Sequence, residues 1–150
     1  MIEAGDTLQS LLTAARNAQD VVARRLGRLT QERNHALQQL EQLRHYRCDY
    51  IERLHQRGLE GYSSSNYLNF TRFLATLEQA IMHQNGVLAR LDSRLEAERS
   101  EWHARMQRVK ACETLISRRL QRTAMLRAKA EQQAMDESAA FCSRQQPPRP

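Results

Sequence analysis

Two seven-residue hydrophobic repeats fill almost the whole chain, interrupted once by a Gly/Ser stretch from Gly58 to Asn66. In the first, Leu8, Ala15, Val22, Leu29, Ala36, Leu43 and Tyr50 share one seam position, and Leu12, Gln19, Leu26, Arg33, Leu40, Arg47 and Leu54 share the other. Eleven of these fourteen residues are apolar, enough to bury a narrow stripe against one partner helix. The second repeat is longer. Its seams hold Tyr67, Leu74, Ile81, Leu88, Leu95, Trp102, Val109, Ile116, Thr123 and Ala130, and Phe70, Leu77, Gln84, Leu91, Glu98, Arg105, Cys112, Arg119, Leu126 and Gln133. No proline precedes Pro147, so nothing inside either run turns the chain. The pattern predicts an all-α fold: a long antiparallel two-helix coiled coil, a helical hairpin with the longer helix at the C-terminal side.

The expected bounds follow from local signals. Asp6 or Thr7 caps a first helix over about 6–57, residues 58–66 make the turn with Gly58 and Gly61 free to take positive φ, and a second helix covers about 67–137. Residues 1–142 then form one coiled-coil domain, and the Gln/Arg/Pro-rich tail 143–150 is disordered. The helices would be roughly 75 to 80 Å and about 105 Å long. Folded back near residue 61, residues whose numbers sum to about 122 are opposite each other, and the first helix is used up near residue 115. Beyond it Leu115, Ile116, Leu120, Met125 and Leu126 lie among arginines without an intramolecular partner, which marks a docking arm. The same heptads would also allow two copies to pair in place of one folding back, an arrangement that the glycine break disfavours.

Composition narrows the function. Aromatics are 5% of 150 residues, too few to fill a thick core, and no apolar run is long enough to span a membrane. With no cleaved signal in the N-terminal residues, a soluble cytoplasmic protein is expected. Cys48, Cys112 and Cys142 are odd in number and scattered, as free thiols in a reducing compartment are. The net charge of +6 is local: Arg105, Arg108, Lys110, Arg118, Arg119, Arg122, Arg127 and Lys129 stand against one acid, Glu113. This block suits phosphates or carboxylates. The alternation with apolar residues and the lack of stacking aromatics favour a protein partner over nucleic acid.

No phosphate loop, nucleophile elbow or helical His-Glu-x-x-His occurs, and a two-helix rod offers no water-excluding pocket, so no enzyme, metal site or cofactor is expected. His45 and Cys48 share a helical face but would need two more ligands. Trp102 reads as core, and the acidic pairs Glu96/Glu98 and Asp136/Glu137 as solvated surface. Tyr46, Phe73, Ala80 and Val87 flank the seam where coiled coils place charge. They either thicken the core near the turn or form an interface.

The string Leu40-Glu-Gln-Leu43-Arg-His-Tyr46-Arg-Cys-Asp-Tyr50-Ile-Glu-Arg-Leu54, then Asn69-Phe70-Thr-Arg-Phe73-Leu74-Ala-Thr-Leu77-Glu78-Gln-Ala80-Ile81, resembles the FliJ family of flagellar type III export proteins. Trp102 and Met135-Asp136-Glu137 fit the same pattern, and the resemblance covers roughly residues 8–141. It implies a coiled coil similar to the central-stalk gamma subunit of rotary ATP synthases. Its implied partners are the hexameric export ATPase, the cytoplasmic domain of the export gate and empty export chaperones. It also implies a location at the flagellar base, peripheral to the inner membrane through those partners. Carried over by position, the gate-binding residues are Gln39, Leu43, Tyr46, Tyr50, Phe73, Leu77 and Ala80. The overhang argument assigns ATPase binding to Leu115, Arg118, Arg119 and Arg122. Analogous stalk proteins of virulence-type secretion systems share the shape and remain the alternative.

Overall fold

Heptad seams demand long uninterrupted helices, and the computed structural model has two: α1, Ile2–Glu60, and α2, Ser64–Gln145. It describes residues 2–61 and 63–145, with the side chains of residues 2–4, 59 and 60 left aside. Both helices outrun the expected bounds. Asp6 and Thr7 lie inside α1, because nothing in Ile2–Gly5 ends a helix once its amides are engaged. Ser143–Gln145 continue α2 where a disordered tail was expected, and residues 146–150 lie outside the described ones.

The turn is shorter than expected. Gly58 is helical, and Gly61 alone among the described residues has positive φ, at 89°. One such residue just past the last helical position is enough to end α1. The Tyr67 amide then donates to the Ser63 carbonyl at 3.2 Å, closing the first turn of α2. A Cβ at Gly61 would meet nothing within 4 Å, so the cost of adding one is backbone strain alone. Gly61→Ala is therefore expected to lower unfolding free energy by about 1 kcal/mol, read by urea denaturation.

The described residues fall into two compact units: Gln19–Ala104, and the residues up to Ala18 together with those from Arg105 onward. In the Gln19–Ala104 unit every seam residue from Gln19 to Leu54, and from Phe70 to Trp102, is buried or half-buried. Leu29, Ala36, Leu91 and Leu95 form its core, with Leu26, Val87 and Leu88 packed on them. Each large side chain so covered contributes about 1.5–3 kcal/mol. Polar seam residues are accommodated by reaching sideways. Arg33 Nε donates to Asp92 Oδ1, and Arg25 pairs with Glu98 Oε1 at 3.5 Å. Glu98 thus belongs to the seam and not to solvated surface; its Oε2 is enclosed without a hydrogen-bond partner. Tyr67 departs the other way: it is exposed, since it sits in the first turn of α2. Trp102 is half-buried, its ring edge-on to His103.

In the other unit the seam residues Leu8, Leu12, Ala15, Val109, Cys112 and Ile116 are buried or half-buried, and Arg16 bonds Glu113 at 3.3 Å. Ile116 is the last covered residue; every described residue from Ser117 to Gln145 is exposed. All three cysteines are free.

Candidate docking surfaces

In an antiparallel pair the side chains just outside the seam on one helix face their counterparts on the other, so each edge of the seam becomes a continuous flank. Gln39 and Tyr46 on α1, and Phe73 and Ala80 on α2, occupy one such flank, with Leu43, Tyr50 and Leu77 at the seam beneath them. Contacts join the two helices along it. The Tyr50 ring lies 4.7 Å from Phe70 and 4.5 Å from Phe73, tilted at 41° and 46°. Farther along, Gln84 Nε2 donates to the Ala36 carbonyl at 2.9 Å and to Gln39 Oε1 at 3.1 Å. These pairs keep the register near the expected sum of about 122.

Exposure then separates the seven residues. Leu77 is buried, Leu43, Tyr50 and Ala80 are half-buried, and Gln39, Tyr46 and Phe73 are exposed. Tyr46 is 63% exposed, whereas Phe73, 47% exposed, also packs its ring on half-buried Tyr50. Two features of this flank escaped sequence reasoning. The Arg57 guanidinium lies 6.0 Å from the Phe70 ring centre, a contact whose signal is the basic residue in the last turn of α1. The Gln39–Gln84 bond joins a flank residue to a polar seam residue, and polar seam residues alone do not reveal where they reach.

The arm residues Leu115, Arg118, Arg119 and Arg122 are exposed. None of those three arginines has an ion-pair partner among the described residues. In the same unit, Leu11, Ala14, Ala15, Ala18, Ala111 and Cys112 line a groove of about 380 Å³ edged by Arg105 and Arg108. Small residues at helical spacing were its only sequence signal. His45 turns to Asp49 at 3.4 Å, and no group of three or more metal-ligating side chains gathers among the described residues.

By class the chain is a two-helix antiparallel coiled coil, with an exposed aromatic flank and an uncovered basic arm. The family can be stated more closely. The model of the family described as flagellar FliJ protein matches residues 4–147, and the chain belongs to that family. It is similar to the flagellar FliJ proteins of Salmonella typhi and Escherichia coli (strain K12), each 27% identical over 140 residues, covering 93% of this chain and 95% of the relative.

Proposed function

We propose that this chain serves flagellar type III protein export as a non-catalytic adaptor. The arm from Leu115 onward, with Arg118, Arg119 and Arg122, docks on the hexameric export ATPase, and the flank from Gln39 to Ala80 engages the cytoplasmic domain of the export gate. Empty export chaperones are a third class of partner. No described helix is long and apolar enough to cross a membrane, so attachment to the inner membrane at the flagellar base runs through those partners.

The observation that carries this reading is family membership over residues 4–147, together with two surfaces that the fold leaves uncovered. Arginines suit carboxylates on a protein partner, and exposed aromatics are enriched in binding hot spots. A partner that binds both surfaces favours whichever states of ATPase and gate present matching faces, which couples the two without chemistry.

The test is a pull-down with purified ATPase and gate domain, using the full chain and a chain ending at Ile116. The truncated chain is expected to keep the gate and lose the ATPase. Equal ATPase capture by both chains would remove the arm from the site. A full chain that captures neither partner would overturn the proposal and leave salt-sensitive nucleic-acid binding by the basic block as the reading to pursue.

A further inference from the structure

Past Ile116 the arm is helical but uncovered: Leu120, Leu126 and Phe141 are 67%, 63% and 62% exposed. Between Ser117 and Ala140 its charges are segregated along the sequence: Arg118, Arg119, Arg122, Arg127 and Lys129 precede Glu131, Asp136 and Glu137, and Arg144 follows beyond this stretch. Arg119, Arg122 and Glu137 have no ion-pair partner among the described residues, and Asp136 accepts only from Gln132 of its own helix, at 3.2 Å. A helix segment with one basic and one acidic half is complementary to itself when reversed.

We propose that the arm pairs with the arm of a second copy of this chain, antiparallel. The heptad phase of α2 sets the register, because in antiparallel coils each seam position faces the other kind on the partner. Leu126 then meets Ala130 of the second copy, and Arg119 meets its Glu137. On the flank Arg122 lies beside Asp136 of the second copy, and Leu120 beside its Ala134. Two-fold symmetry repeats each contact. Arg127 and Lys129 fall near their own counterparts at the axis, but on flank positions from which long side chains reach solvent, where salt screens them. A parallel pair would instead stack Arg119 on Arg119 and set Arg122 against Arg127, with no opposite charges to offset them.

Apolar content keeps this dimer weak. Leu126 is the one large apolar seam residue past Ile116, between Thr123 and Ala130, so dissociation constants on the order of tens of micromolar are expected. The pairing is a property of the chain alone and does not rest on the export reading. It would occupy the same arm as an ATPase, so the two complexes exclude each other.

Sedimentation equilibrium of the full chain, up to about 300 µM, tests the proposal without any other protein. Arg119→Glu alone and Glu137→Arg alone each set like charges opposite one another twice, and should weaken dimerisation roughly tenfold. The double variant restores both pairs and should return to within about threefold of the unmodified chain. Circular dichroism is expected to show the same helicity in all four. A chain that stays monomeric throughout overturns the proposal. So does a dimer that the single reversals leave unchanged, that the double variant fails to restore, or that survives truncation after Ile116.

Discussion

Tyr46→Ala is expected to weaken binding to the gate domain by roughly tenfold or more while changing unfolding free energy by less than about 0.5 kcal/mol. The argument rests on position. Tyr46 occupies the flank of α1 one turn before Tyr50, and its ring is largely in solvent, so its removal leaves no cavity in the seam. The Tyr50→Ala/Phe73→Ala double variant should lose gate binding as well. It also removes the ring packing among Tyr50, Phe70 and Phe73, at a cost of about 1–3 kcal/mol. Comparing the two separates docking from folding. Titration calorimetry with the gate domain, beside urea denaturation of each variant, makes the measurement. If Tyr46→Ala binds as tightly as the unmodified chain, the flank is not the gate site.

Leu95→Ala is expected to cost about 2–4 kcal/mol of unfolding free energy. Leu95 is 3% exposed and belongs to the core with Leu29, Ala36 and Leu91. In a two-helix layer the opposite helix cannot move in to fill the gap without losing the seam on both sides. Leu126→Ala makes the same chemical change on the uncovered arm and should cost less than about 0.5 kcal/mol. Urea denaturation of the two variants, performed dilute enough to keep the chain monomeric, reads the contrast. Equal losses would mean that the arm is packed in the monomer.

The contrast between these leucines shows what repetition in a sequence can encode. Leu95 and Leu126 both sit at seam positions of one unbroken heptad run, and periodicity assigns both to the same side of α2. Only the length mismatch of the two repeats separates them, and that was legible: coverage stops at Ile116, close to where counting back from the turn exhausts α1. The aromatic flank was legible only in part. Periodicity put Tyr46 and Phe73 beside the seam but left open whether they thicken the core. Exposure of a flank residue depends on what stands across from it, and that belongs to a pair of helices.

By itself, then, the sequence determined two long helices, a break between Gly58 and Asn66 that favours a hairpin over two paired copies, and a second helix longer than the first. Each follows from heptad period, helix-breaking residues and segment length, all of which are local. The tertiary structure decided that Gly58 stays helical, that Glu98 is drawn to Arg25 and Arg33 to Asp92, that Tyr67 is exposed, and that Tyr50 joins Phe70 and Phe73 in one aromatic cluster. The reason is geometric: period places a residue around its own helix axis, while burial and pairing are settled by the side chains that the other helix supplies at the same level.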